Sequence, residues 1–175
     1  MRLALFAIFA AVAISCPALA QVQSDKATTR LVGEVTEAFF ALLPKNDFPS
    51  ERAFMTDEFA AMTSLKDWTR IRAQLIEAAG STPRYSAHDL TYYQRGTLFA
   101  AVDFSGRTTT ANTIVCGFVL WEIASPAVIG FSRLEQNVVP AEVFKAMPVQ
   151  QAAQLMTDWH CPTTLIEAIL GVSVR

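Results

Sequence analysis

The sequence has few of the residues that build metal and redox sites: among 175 residues there are 2 histidines and 3 cysteines. Zinc and iron sites depend mainly on these two residue types, so we expect no metal and no cofactor. The 14 lysines and arginines do not outnumber the 16 aspartates and glutamates. Nucleic-acid-binding proteins usually carry a basic excess, so no nucleic-acid partner is expected. Hydrophobic residues make up 52% of the chain, which excludes a disordered protein.

Short catalytic and cofactor-binding motifs are also missing. The chain contains no glycine-rich nucleotide loop, no H-E-x-x-H metal motif, no G-x-S-x-G nucleophile elbow and no C-x-x-C redox pair. Each of these motifs places a reactive group where a common enzyme class needs it. Their absence favours a binding protein over an enzyme.

The first twenty residues have the anatomy of a secretion signal. Arg2 precedes an uninterrupted apolar stretch over residues 3–14, which is too short to cross a membrane as a helix. Pro17 ends that stretch, and Ala18-Leu19-Ala20 supplies the small residues of a signal-peptidase site. We expect cleavage between Ala20 and Gln21, a periplasmic or secreted protein, and no integral membrane segment after signal removal.

Two other interpretations of this segment stay open. Cys16 follows Ala13-Ile14-Ser15, which has some features of a lipoprotein signal, and would then become a lipidated N-terminus. The segment could instead remain uncleaved as an anchor. Mass analysis of the N-terminus separates these possibilities, because only soluble export gives a chain that begins at Gln21.

Cys116 and Cys161 are the two cysteines outside the signal. In an oxidising compartment an even number of cysteines indicates a disulfide, which would tie the C-terminal segment to a strand. Two buried thiols are the alternative, because free cysteine is common in protein cores. A reactive Cys161 is a third possibility, because the preceding His160 could activate its thiol.

Apolar residues at helical spacing predict three helices in the first half, over residues 28–43, 50–61 and 64–80. The third has the clearest ends, because Ser64 and Asp67 form a capping box and Gly80 can end the helix in a left-handed conformation. Trp68 lies on its apolar stripe and is predicted to be in the core. Arg70 and Arg72 lie off the stripe and are predicted to be exposed.

The spacing changes after Pro83 and predicts four strands, over residues 84–94, 97–104, 113–123 and 127–138. Helical spacing returns in the tail. The sequence therefore predicts an α+β fold, with N-terminal helices packed on a curved four-stranded antiparallel sheet and a C-terminal helical extension. The organisation is a signal (1–20), a cone-like α+β unit (21–139) and an extension of the same domain (140–175).

This order of elements resembles the nuclear transport factor 2-like superfamily, the α+β fold shared with SnoaL-like cyclases. The stretch from Phe39 to Val139 looks like small exported bacterial proteins of unknown function on that fold. The features that carry the resemblance are Phe39-Phe40, Asp47-Phe48, Trp68 with Arg72, Gly80 and the closing strands. A cystatin-like sheet is the near alternative. The resemblance implies a cavity that hosts ligands, catalysis or assembly, so it does not determine function.

Charges on otherwise apolar strands mark the candidate site. Asp103, Arg133 and Glu135 each alternate with apolar residues, and together with Tyr92 they are the predicted ligand-binding residues. No catalytic residue is assigned outright. Enzymes of the resembled fold often use an Asp–His pair, and His88 with Asp103 on neighbouring strands is the weak candidate for it. An ordinary solvated sheet face is the alternative explanation for these charges.

These observations favour an exported, non-enzymatic protein that binds a small apolar ligand or a protein partner through its sheet or cone. One alternative is a small cofactor-free isomerase, cyclase or hydrolase that uses His88 and Asp103. Another is an envelope assembly module that forms a homodimer through the sheet. The three differ in what they require: a cavity without the Asp–His pair, a cavity with it, or a flat apolar face.

Overall fold

The computed structural model describes residues 20–108, 112–125, 128–171 and 173, and it has an α+β fold. One antiparallel sheet runs in chain order through β1 (Ala20–Val22), β2 (Arg84–Arg95), β3 (Thr97–Arg107), β4 (Thr113–Ser125) and β5 (Val128–Pro140). The four predicted strands are β2 to β5. The prediction of a four-stranded sheet was wrong by one, because β1 pairs with the end of β2. Three residues are too few to give a recognisable alternation.

Four α-helices and a short 3-10 helix (Leu43–Lys45) lie between β1 and β2, and three α-helices follow the sheet. The first group is α1 (Lys26–Leu42), α2 (Phe48–Arg52), α3 (Asp57–Met62) and α4 (Leu65–Ala79). The second group is α5 (Ala141–Lys145), α6 (Val149–Asp158) and α7 (Thr163–Leu170). The predicted secretion signal, including Cys16, lies outside the described residues except for Ala20.

The helix predicted over residues 50–61 is in fact two helices. Between α2 and α3 the chain leaves the helix to pair with β5. The Thr56 amide donates to the Phe131 carbonyl at 3.0 Å, and the Phe131 amide donates to the Phe54 carbonyl at 2.7 Å. This contact joins segments far apart in sequence, so local spacing does not reveal it.

The main core lies between α1–α4 and one face of the sheet, called here the inner face. Its strand residues alternate with outward-pointing neighbours and include Ala100, Val102, Phe104, Val119 and Trp121. The Phe39 ring of α1 lies at the centre, 5.9 Å from Trp121 and 5.0 Å from Phe131. Aromatic packing of this kind fixes α1 across the sheet.

α4 confirms the predicted ends of the third helix. The Ser64 hydroxyl accepts from the Asp67 amide at 3.1 Å, and Gly80 ends the helix with φ 74°. Trp68 is only 3% exposed, as predicted. The prediction that Arg72 is exposed was wrong, because its side chain is completely buried.

A buried ion pair explains the position of Arg72. Its Nε donates to Glu51 Oε2 at 2.9 Å, the indole of Trp68 donates to the same oxygen at 3.0 Å, and Nη1 donates to Gln136 at 2.8 Å. Burial raises the pKa of Glu51, and the Arg72 guanidinium opposes that rise. The cluster ties α2 and α4 to β5.

The C-terminal helices pack on the opposite face of the sheet, called here the outer face. Ile114 and Cys116 of β4 point to this side and share a second core with Phe144, Met156 and Ile166. The predicted disulfide joins Cys116 to Cys161, with Cα atoms 5.2 Å apart. It attaches the segment between α6 and α7 to β4.

Replacing both Cys116 and Cys161 with alanine should lower the free energy of unfolding by about 3–4 kcal/mol. The bridge closes a 45-residue separation, and the chain-entropy model gives that magnitude for a loop of this size. Urea unfolding of the double variant and of reduced wild-type protein measures the effect. A loss below about 1 kcal/mol in both samples would contradict a stabilising role for the bridge.

Candidate functional site

An open cleft of about 920 Å³ lies between α1 and β2 on the inner face. It exists because β1 pairs with β2 only over residues 92–94. Among the described residues, no strand pairs with the edge of β2 opposite β3 over residues 84–91, and α1 passes beside this free edge. Volumes of 300–1,000 Å³ are typical of small-molecule sites.

The sequence of α1 determines the shape of one wall. Thr29, Gly33, Thr36 and Phe40 follow one another at three- or four-residue spacing, so they lie on the face that lines the cleft. A Cβ atom built on Gly33 would meet nothing within 4 Å. The cleft therefore has open space beside Gly33, while Phe40 supplies an apolar surface.

β2 forms the other wall. Leu90 and Tyr92 point to the inner face, and the Tyr92 hydroxyl donates to Thr29 Oγ1 at 3.3 Å, which links the two walls. A register shift between Ala87 and Asp89 leaves His88 outside the strand pairing, at the free edge. Bulges of this kind redirect a side chain and often occur near functional sites.

Thr36 brings a buried polar atom to the α1 wall of the cleft. The residue is only 1% exposed, and its Oγ1 has no hydrogen-bond partner in the part of the chain that the structure describes. A buried hydroxyl without a partner costs roughly 1–3 kcal/mol. A ligand with a polar atom at this point would recover that cost.

A second group of polar residues lies on the outer face. Asp103 of β3 is opposite Phe118 of β4, which is opposite Glu135 of β5. Asp103 Oδ2 lies 3.0 Å from Nδ1 of His160, whose ring packs 4.9 Å from the Phe118 ring. His160 has φ 60°, in the left-handed region, and directly precedes Cys161 of the disulfide.

The predicted site residues therefore belong to two separate places. Tyr92 lines the cleft, while Asp103, Arg133 and Glu135 lie together on the outer face. Asp103 is paired with His160, and within the described residues no hydrogen bond joins it to His88. The sequence reasoning treated His160 only as a neighbour of Cys161 and missed it as a partner of Asp103.

Replacing Arg133 with glutamine should change the free energy of unfolding by less than about 1 kcal/mol. Its guanidinium lies 2.7 Å from Glu135 and 5.1 Å from the centre of the Phe118 ring, but the side chain is 62% exposed. Exposed ion pairs contribute about 0–1 kcal/mol because water screens them. Thermal unfolding tests this, and a loss above about 2 kcal/mol would make Arg133 a structural residue.

Neither place resembles a metal centre. Throughout the described ranges, no group of three or more histidine, cysteine, aspartate or glutamate side chains is arranged to hold an ion. The cleft offers apolar contact, the Thr36 hydroxyl and the charged side chains of Glu37, Arg84 and Asp89. The outer face offers an Asp–His pair.

Comparison with known proteins finds no relative of this chain. No protein-family model, no curated protein and no solved structure matches it. The resemblance to the nuclear transport factor 2-like superfamily stays a prediction that rests on the order of elements and a few residues. Function must therefore be argued from the site itself.

Proposed function

We propose that this protein is exported and binds a small, mainly apolar ligand in the cleft between α1 and β2, without catalysing a reaction. The observation that carries the proposal is the cleft of about 920 Å³, with Phe40, Leu90 and Val102 in its walls and the unpartnered Thr36 hydroxyl between them. An apolar pocket with few, well-placed polar groups is the usual form of a small-molecule site.

Export is supported by two features. The N-terminal sequence has the pattern of a secretion signal, and the Cys116–Cys161 disulfide is typical of oxidising compartments. None of the helices described here is long and apolar enough to span a bilayer.

Filling the cleft should abolish binding while leaving the fold intact. The neutral fluorescent dye Nile red serves as the apolar probe. We expect Gly33→Leu to weaken its binding at least about tenfold, because a leucine there enters open space beside α1. Stability should not fall, since leucine favours a helix more than glycine does.

Ala38→Leu is the matched control, because Ala38 is an exposed residue of the same helix and does not line the cleft. It adds similar bulk at a place that a ligand does not reach. Equal dye affinity in wild type, Gly33→Leu and Ala38→Leu would contradict the cleft as the binding site. Wild-type protein that does not bind the dye would contradict the proposal as a whole.

The Asp103–His160 pair supports a second candidate, a cofactor-free enzyme. A carboxylate that holds Nδ1 leaves Nε2 for proton transfer, and the His160 side chain is 40% exposed. This candidate replaces His88 with His160 as the partner of Asp103. Screening hydrolysis of small esters and lactones tests it: activity must fall in both Asp103→Asn and His160→Gln and persist in His88→Gln.

A further inference from the structure

A second cavity, of about 480 Å³, lies at the same end of β2 but on the outer side of the sheet, against the start of α7. Arg84, His88 and Arg107 line it. Among the described residues, no aspartate or glutamate does so. In a chain with more acidic than basic residues, this is a local concentration of positive charge.

The two arginines lie side by side without a counter-ion. Arg84 and Arg107 are directly opposite each other in the β2–β3 register, so their side chains lie on the same face. Within the part of the chain that the structure describes, neither forms an ion pair. Like charges placed directly opposite each other destabilise a sheet, and a bound anion would reverse that effect.

α7 adds to the positive character of this cavity. Pro162, its N-cap residue, provides no side-chain hydrogen bond, and Thr164 in the first turn lines the cavity. The first amide groups of a helix carry a partial positive charge and favour an anion. The hydroxyls of Ser86 and Ser105 complete the polar lining.

The two cavities meet along the free edge of β2. Arg84, Ser86 and His88 line both of them, because no described strand separates the two sides at this edge. Glu37 and Asp89 line the cleft but not the second cavity. A negatively charged ligand group is therefore repelled by these carboxylates in the cleft. It is attracted to the second cavity, on the other side of the β2 edge, where it would lie between the two arginines.

We propose that the ligand is an amphipathic anion, with its apolar chain in the cleft and a carboxylate or phosphate head between Arg84 and Arg107. This inference rests on the proposed function of the cleft. The arginine pair gives two positively charged donors for one head group, and planar guanidinium groups match carboxylate and phosphate oxygens. Arg84 is the arginine that lines both cavities, and it positions the head relative to the chain.

Displacement of bound Nile red by decanoate and by decanol tests the charge requirement. The two compounds share an apolar chain and differ in the head group. Wild-type protein should prefer decanoate by about tenfold, as expected for one or two charged hydrogen bonds. Arg107→Gln, at a residue that lines the second cavity but not the cleft, should weaken this preference and leave decanol binding unchanged, and adding Arg84→Gln should remove the preference. Arg95→Gln, at the far end of the same strand, is the matched control and should retain the preference.

The outcomes separate this inference from the function on which it rests. Equal displacement by decanoate and decanol in wild type contradicts an anionic head group but not the binding of an apolar ligand in the cleft. Failure of Nile red and both compounds to bind overturns the cleft, and the inference with it. Calorimetric binding of inorganic phosphate to the arginines, with no preference for decanoate, would identify a site for a free anion and also overturn the amphiphile.

Discussion

Arg72→Met should lower the free energy of unfolding by about 3–5 kcal/mol. Arg72 and Glu51 are both fully buried, and their side chains meet at 2.9 Å. Removing the guanidinium leaves a carboxyl inside the protein without its opposite charge, and breaking a buried pair in this way typically has a cost of that size. Urea unfolding at neutral pH measures it.

The same variant should show a characteristic pH dependence. Burial already raises the pKa of Glu51, and loss of Arg72 removes a cause that lowers it, so the pKa rises further. When the pKa of a carboxyl is higher in the folded than in the unfolded protein, its stabilising contribution is complete below the unfolded pKa of 4.5. The contribution is lost as the pH rises through the higher pKa of the folded protein. The deficit of Arg72→Met should therefore be smaller at pH 5 than at pH 8.

A paired substitution distinguishes the charge from the packing. Glu51→Leu with Arg72→Met removes both charges, and replacing a buried pair with apolar residues is often neutral or stabilising. The double variant should recover part of the lost stability; the Trp68 indole and Gln136, which lose their partners, keep it below wild type. If it is as unstable as Arg72→Met and the deficit does not change with pH, the arginine acts through its shape alone.

Trp68→Ala should also lower the free energy of unfolding by about 3–5 kcal/mol, enough to unfold many domains of this size. The indole is 3% exposed, its ring centre lies 5.9 Å from that of Phe131, and its Nε1 donates to Glu51. Trp68→Phe is the matched control, because it keeps most of the ring and loses the donor. A cost below about 1 kcal/mol for the alanine variant would contradict a core position.

Local signals in the sequence were sufficient for α4 and for the four long strands. Ser64, Asp67 and Gly80 act within one helix, so their effect on its ends follows from their chemistry alone. Strand-like spacing similarly marks β2, β3 and β5, and a nearly continuous run of β-branched and aromatic residues marks β4, which is buried on both faces over much of its length. The disulfide was also predictable, because only two cysteines lie outside the predicted signal.

Features that depend on distant partners were not predictable. Arg72 looks like an exposed residue of its helix until Glu51, which is 21 residues earlier, is placed beside it. The interruption between α2 and α3 depends on Phe131 of β5. In both cases a contact with a distant segment outweighs the preference that the local sequence expresses.

The site was only partly predictable for the same reason. Strand alternation placed Arg133 and Glu135 on one face of their strand, but it could not indicate that His160 from the C-terminal extension would reach Asp103. Thr36 gave no signal, since a threonine on a helix is ordinary until its surroundings are known. The cleft itself arises from how little of β2 is covered by β1, which depends on pairing rather than on pattern.

Chemical-shift mapping of the full chain with decanol tests the central claim most directly. In an amide ¹H–¹⁵N spectrum, binding in the cleft should move signals of residues 29–41 in α1 and residues 84–92 in β2. Signals from α5 and α6, which pack on the outer face, should remain in place, and Gly33→Leu should abolish the changes. Shifts centred on Asp103 and His160, or shifts that persist in Gly33→Leu, would contradict the cleft as the ligand site.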